Sequence, residues 1–442
     1  MGNFFDQNEK GIVLIIGLMF IALLSVLAAT AYVISTQDSL ISANYKYSEQ
    51  AFNHAEAGVQ YGITKLEIAL KSGASLPASG TLDIPGASAP SGFLFSLSPL
   101  TVEGNNLYSF SSTGKAQKKA SSEIKVGLRR LPVVPGGVFG DLNVDSKTHV
   151  QYYSYDSRVI PDPTPSDSTG QCDLASNGSI VLNAGTFVDG NVVLGNNRIA
   201  DASYHPFGAP VVAGKKGYYS GRLEPDPMNI NSGDFQAEFD SAALTNDNAD
   251  ITPSIPGREI VHPGCIVNLP GKSGGSIYYL EKIDLSLSDT IMMDATSGPV
   301  VLYLRGSFTA KDASGIQILS TGSVEDITIK MTEDPLNPIS THQVFLGLYN
   351  SSTLNKFGRP TDFVLITDSD AMLEFKDATE INGLVYAPHS IIFLQSSKPL
   401  HGAFMGKSIV CYDHSILYFD TALKDKYLSN DLSIVSWKKV LN

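Results

Sequence analysis

The chain has 442 residues, 43% of them apolar and 17% charged, and its mean hydropathy is close to zero, which excludes a disordered chain and a multi-span membrane protein. Lys and Arg total 31 against 44 Asp and Glu, a balance of -13 that repels phosphate backbones and argues against a nucleic-acid partner. Thirty-nine glycines and 23 prolines slightly exceed the ordinary share of ~12%, which predicts many turns and hence many short strands.

Residues 12–34 form a run of 23 without a charged side chain, and 14 of them are Ile, Leu, Val or Phe. As a helix the run is ~35 Å long, enough to cross a ~30 Å hydrocarbon layer. The 14 apolar side chains favour insertion by roughly 4 to 8 kcal/mol, against small penalties at Gly17, Ser25 and Thr30. The run is too long for the apolar stretch of an ordinary secretory signal. The preceding residues 1–11 carry Asp6 and Glu9 against Lys10, so charge alone leaves the orientation open.

Residues 35–71 contain no proline, and Tyr45, Phe52, Ala55, Val59, Leu66 and Leu70 recur at spacings that fit one helical stripe. Gln37, Asp38, Lys46, Glu49, Gln50, Asn53 and Lys65 fill the other positions. The pattern predicts one helix over 12–71, about 90 Å long, apolar in its first half and amphipathic in its second. Pro77 and the Gly/Ser-rich stretch 72–92 should end it.

The order Glu9-Lys10-Gly11, then the apolar run, then Ala51-Phe52-Asn53-His54-Ala55-Glu56-Ala57-Gly58 resembles the type IV pilin-like proteins, most closely the PilX-type minor pilins, over about residues 8–70. The resemblance implies a leader, 1–11, cut between Gly11 and Ile12 by a prepilin peptidase. It also implies a bacterial inner-membrane anchor with a cytoplasmic N-terminus, a periplasmic C-terminus and later display on a pilus. Partners implied are other pilins and minor pilins, the pilus assembly platform and inner-membrane lipid. Pilins that build the shaft place a glutamate at the fifth mature position. Counted from Ile12 that position is Ile16, and losing a charge partner inside an apolar bundle disfavours packing wherever an amine must be matched. This departure points to a minor or tip component.

Residues 93–97, 106–112 and 121–129 read as strands, with alternation at Leu107, Ser109, Ser111 and at Ile124, Val126, Leu128. They predict a small α+β head over 72–135, and by the resemblance Ser112-Thr113-Gly114 reads as a turn. Lys115, Lys118, Lys119, Lys125, Arg129 and Arg130 suggest a solvated strand edge guarded by cations. The sequence 131–137, Leu-Pro-Val-Val-Pro-Gly-Gly, marks the boundary.

Beyond it, short apolar runs alternate with Gly, Asn, Asp or Ser, at 180–182, 186–188 and 192–194, and again from Phe363, Met372, Ile381, Ile391, Leu400, Ile409 and Ile416 at steps of about nine. Strands stacked rung on rung make a parallel β-solenoid (β-helix) the preferred architecture for 136–425. Asn177-Gly178 and Asn382-Gly383 are hairpin signals that keep a sandwich as the alternative. Residues 381–388 (Ile-Asn-Gly-Leu-Val-Tyr-Ala-Pro), 401–406 (His-Gly-Ala-Phe-Met-Gly) and Tyr418-Phe419-Asp420 resemble a C-terminal β-helix domain attached to PilX-type helices, over about 290–425. Residues 161–170 and 224–257 read as surface loops, the second with a short helix near 235–244, and 426–442 as a C-terminal tail. The fold class is thus mainly β with one long N-terminal α-helix.

Cys172, Cys265 and Cys411 lie 93 and 146 residues apart, without metal-ligand spacing, and read as buried free thiols. Asp368 and Asp370 are the one candidate acid/base pair, although Thr367-Asp368-Ser369-Asp370 also reads as a hydrophilic corner between strands. The histidines are dispersed, and no nucleotide loop, hydrolase elbow or metal motif occurs, so no catalytic, cofactor or metal residue is assigned. The tyrosine pairs 152–153, 218–219 and 278–279 read as one ring inward and one outward. These readings predict a non-catalytic minor pilin-like subunit acting in pilus assembly or priming. An adhesin for a glycan, cell or mineral surface is the first alternative, and a membrane-tethered carbohydrate-active enzyme the second.

Overall fold

The computed structural model describes residues 5–71, 94–102, 107–132, 136–195, 203–219, 233–255, 257–320, 327–335, 339–341, 343–426 and 428–440. They divide into two compact units. One comprises Met1–Leu131 with Asn430–Asn442, and the other is Pro132–Ser429, inserted in the chain between them.

The first unit is built on helix α1, Phe5–Lys71, 67 residues or ~100 Å long. It begins before the expected position 12, so Gly11 and Ile12 both lie inside continuous helix. Residues 72–92, expected to end it, lie outside the described residues. Three hydroxyls in and just beyond the apolar run turn back onto the helix: Ser25 Oγ donates to Ile21 O at 2.8 Å, Thr30 Oγ1 to Val26 O at 2.8 Å and Thr36 Oγ1 to Tyr32 O at 2.9 Å. Each polar group is thereby satisfied without water.

The second half of α1 packs on a sheet of strands Phe95–Leu97, Leu107–Lys115, Ser121–Pro132 and Leu428–Val440, in that order, with Thr101–Val102 also paired to Leu107–Lys115. The pairings among the first three, and that of Thr101–Val102, are antiparallel. The buried helix face is Ala51, Ala55, Gly58, Val59, Gly62, Leu66 and Ala69. It meets Leu100, Tyr108, Phe110, Ile124, Val126 and Leu128.

This face differs from the expected stripe. Tyr45 is exposed and precedes the packed region, Phe52 is half-buried, and the side chain of Leu70 lies outside the described ones. Lys65, expected on the polar side, is buried beside the Tyr61 ring. Small residues carry the contact instead, because the sheet crosses almost on the helix backbone. A Cβ on Gly114 would stand 2.0 Å from Ala51 O and 2.2 Å from Ala55 N. Ser112-Thr113-Gly114 is therefore not a turn but the middle of a strand, and the reversal comes at the 3-10 turn Gln117–Lys119.

Two further expectations change. The strand Leu428–Val440 lies where the sequence suggested only a tail; it covers Ser121–Pro132, so the cation-rich segment is not the sheet edge. Trp437 on this late strand meets Phe52 edge-on at 5.8 Å.

The second unit is a parallel β-solenoid, a sheet of 25 strands among the described residues. Its strands form three ladders around one core. One ladder runs in register through Ile329, Leu365, Val385, Phe404, Val138, Leu174 and Val192, all buried. Chain order and spatial order differ. The first strand, Val138–Ser146, pairs with Leu400–Cys411, and Gln151–Tyr155 pairs with Ile416–Asp420. The chain starts in mid-stack, builds coils to Lys216–Tyr219, resumes after helix α2 (Gly233–Leu244) at Glu259–Val261 on the opposite end, and builds back to its starting coil.

The nine-residue recurrence is a little under half of a coil, since a full coil takes about twenty residues, as Leu365 pairs with Val385 and Val385 with Phe404. Asn382-Gly383 is not a hairpin but lies within the strand Glu380–Ser396. Gly383 stacks in register on Gly402, whose φ is +125° and where a Cβ would meet Gly383 O at 1.8 Å. The glycines shared with the resembling domain thus mark coils too close for side chains. Cys172 and Cys411 are buried free thiols, but Cys265 is exposed. Tyr278 and Tyr279 are both buried, the second beneath the Arg258 guanidinium at 4.9 Å. The side chains of Tyr218 and Tyr219 lie outside the described ones.

Gly114→Val should unseat the helix from its sheet and lower stability by about 1–3 kcal/mol or more, because the clash is with backbone that cannot yield. Gly17→Val, with nothing within 4 Å of its Cβ, should leave the denaturation midpoint of the same domain unchanged.

Candidate functional site

Two regions stand out. The first is the N-terminal half of α1. Its most apolar window has mean hydropathy 3.0 and no buried share. Ile12 is 56% exposed and Ile16 53%, so at both positions a bare aliphatic side chain projects from the helix. A continuous apolar surface of this extent on a folded chain marks a membrane or protein contact. Continuity with the packed half fixes the helix direction through Ala51, Ala55 and Gly58, the small positions of the Ala-Phe-Asn-His-Ala-Glu-Ala-Gly segment. At Gly58 a Cβ would stand 2.1 Å from Ser112 Oγ, so that glycine seats the helix rather than forming a reactive group.

The second is a cavity of about 540 Å³ on the outer side of the solenoid, at the corner loop 355–360. One wall comes from Tyr155, Ser157, Pro161 and Asp162; the other from Lys356, Phe357 and Arg359, with Glu380, Asn382, Lys398 and His401 between them. The register explains the arrangement. His401 pairs with Tyr418, and Tyr418 with Tyr153, so their outward rings stack along one ladder, at 5.3 Å for His401–Tyr418 and 5.5 Å for Tyr153–Tyr418. Tyr155 leans edge-on against His401 at 5.7 Å.

The loop that closes this wall is tied down by Asp420, which is fully buried. Its carboxylate accepts from Ser157 N at 3.1 Å, Ser157 Oγ at 2.6 Å and Ala422 N at 3.0 Å. Burial raises its pKa even so, because desolvation outweighs these bonds. The opposite loop is knitted by Asn355 and Asn382: Asn355 Nδ2 donates to Asn382 O at 2.8 Å, and Asn382 Nδ2 to Asn355 O at 2.9 Å.

Sequence reasoning missed this cavity, because Tyr155, Phe357 and His401 lie far apart along the chain and only the coil register joins them. The acid pair it did single out is not assembled for catalysis. Asp368 and Asp370 sit at the corner between Phe363–Thr367 and Met372–Asp377. Asp368 is half-buried, its pKa is raised by desolvation, and it accepts from Gln236 Nε2 of α2 at 2.5 Å, while Asp370 is exposed. Among the described residues no group of three or more His, Cys, Asp or Glu is placed to hold a metal ion.

Burial lowers His401 from 6.5 to about 4, with Asp162 opposing the shift, so the ring is neutral at pH 7. Between those two values the unfolded chain binds a proton that the folded ring refuses. Stability must therefore fall as pH drops from about 6.5 to 4, by up to ~3 kcal/mol. Denaturation midpoints measured across that range should show a slope that His401→Gln removes; an equal slope in the variant would assign the loss to other groups.

Comparison with known proteins gives matches in both units of the chain. Residues 10–60 match the family model described as PilX N-terminal, and residues 242–426 match a domain of unknown function, DUF7305. No curated protein matches the chain. Among solved structures the chain is similar to the competence-associated pilin ComZ from Thermus thermophilus, at 12% identity and a TM-score of 0.33, covering 90% of this chain and 98% of that one. It is also similar to an ice-binding protein from the Antarctic ascomycete Antarctomyces psychrotrophicus, at 10% identity and 0.26, covering 65% and 97%. A third is an ice-binding protein from an Antarctic biological consortium, at 12% and 0.27, covering 65% and 91%. The PilX N-terminal match thus falls on helix α1, and the DUF7305 match falls within the second, β-solenoid unit.

Proposed function

We propose that the chain is a minor subunit of a type IV pilus or a related filament, acting in assembly or priming and displaying its solenoid outside the cell. The observation that carries this reading is the division of one unbroken helix into a bare apolar half and a half packed under a sheet. Such a helix is soluble only while something else covers its first half, first lipid and then the helices of other pilins. In this reading 1–11 is the leader, 12–34 spans the bacterial inner membrane with the N-terminus cytoplasmic, 72–135 is the head, completed by the strand Leu428–Val440, and 136–425 the displayed solenoid. Prepilin peptidase cuts between Gly11 and Ile12, other pilins and the assembly platform are the partners, and the aliphatic Ile16 suits a minor or tip position.

We read the chain as non-catalytic, because Asp368 is spent on α2 and Asp370 stands apart in solvent. A second role as an adhesin is favoured by the cavity at His401, and the two roles are compatible. Co-expression with a prepilin peptidase should remove about 1.3 kDa, the mass of the 11-residue leader. Gly11→Phe should abolish that loss. A wild-type chain that keeps its full mass, or a variant still cut, would contradict the processing step.

A further inference from the structure

The cavity beside the loop 355–360 holds polar groups that the fold itself does not use. Tyr155 is 2% exposed, yet among the described residues its hydroxyl has no hydrogen-bond partner, and neither ring nitrogen of His401 has one. An unpaired hydroxyl and an unpaired imidazole lining one cavity leave places for a ligand's own donors and acceptors. The neutral His401 ring offers one of each.

The rim adds charge and an apolar plate. On a chain of net charge -13, Lys356, Arg359 and Lys398 gather around one opening. Lys356 lies 3.4 Å from Glu380, whereas the charged ends of Arg359 and Lys398 have no carboxylate partner among the described residues, Arg359 giving only its backbone N–H to Asp362 at 3.3 Å. Phe357 stands at the mouth, 80% exposed. Glu380 and Asp162 share the rim, and they disfavour a polyphosphate while accepting hydrogen bonds from neutral hydroxyls. A volume of about 540 Å³ lies within the range of small-ligand sites.

We infer that this cavity binds a hexuronate unit of an acidic polysaccharide. The carboxylate lies toward Arg359 and Lys398, the ring hydroxyls meet Tyr155 and His401, and a C–H face of the sugar stacks on Phe357. The inference does not rest on the filament reading, since every residue it uses lies in the solenoid.

The test is calorimetric titration of the full-length chain in detergent micelles with oligogalacturonate, oligomannuronate and hyaluronan oligomers, against maltotriose and a short oligothymidylate. At least one hexuronate oligomer should bind about tenfold or more tighter than maltotriose and the oligothymidylate. Phe357→Ala and the Arg359→Ala/Lys398→Ala pair, all at exposed positions, should each weaken it about tenfold or more while the denaturation midpoint stays unchanged. Tyr155→Phe, which keeps the ring, should weaken it as well. Failure of every hexuronate to bind, equal binding of maltotriose, preference for the oligothymidylate, or binding indifferent to all three changes would overturn the assignment.

Discussion

Everything in this chain is arranged around an apolar rod that cannot be left in water. The 14 large aliphatic and phenyl side chains of residues 12–34 are bare along the helix, and the free energy of covering them exceeds any single contact elsewhere in the head. The second half of the same helix is covered within the chain, by a sheet that approaches closely enough at Gly114 and Ser112 to need Ala51, Ala55 and Gly58 beneath it, with Val59 and Leu66 filling the rest of the contact. In the reading proposed above, one element carries two different contacts: a permanent one with its own sheet and a replaceable one with lipid or another helix.

The long insertion Pro132–Ser429 is compatible with that arrangement because of its topology. Its first and last coils are neighbours, stitched by the pairings of Val138–Ser146 with Leu400–Cys411 and of Gln151–Tyr155 with Ile416–Asp420. A solenoid built in simple chain order would separate entry from exit by the whole stack. Here the chain enters and leaves at adjacent coils, so strand Leu428–Val440 can return to the sheet that Ser121–Pro132 left open.

The anchor and the solenoid were legible in the sequence because both rest on periodicity: an uncharged run of helical length, and short apolar runs at a regular step. The step left the length of a full coil open, since periodicity reports corners but not how many make a turn. The helix interface was legible only in part, because the stripe search weighs bulky residues and the contact at Ala51, Ala55 and Gly58 is made by small ones. Leu428–Val440 was invisible for a different reason: a strand that completes a sheet begun some 300 residues earlier has no local partner to reveal it. The cavity needed the register itself, which places His401 beside Tyr418 and Tyr155 although sequence holds them far apart.

The central claim is that the bare half of α1 exchanges lipid for the helices of other pilins. Photo-crosslinking in cells, with a benzophenone side chain at Ile16 or Leu23, tests it most directly. The account predicts adducts with lipid in the membrane pool and with other pilin-like subunits in sheared filaments. Adducts with lipid alone, in every fraction, would contradict it and leave a membrane-anchored ectodomain.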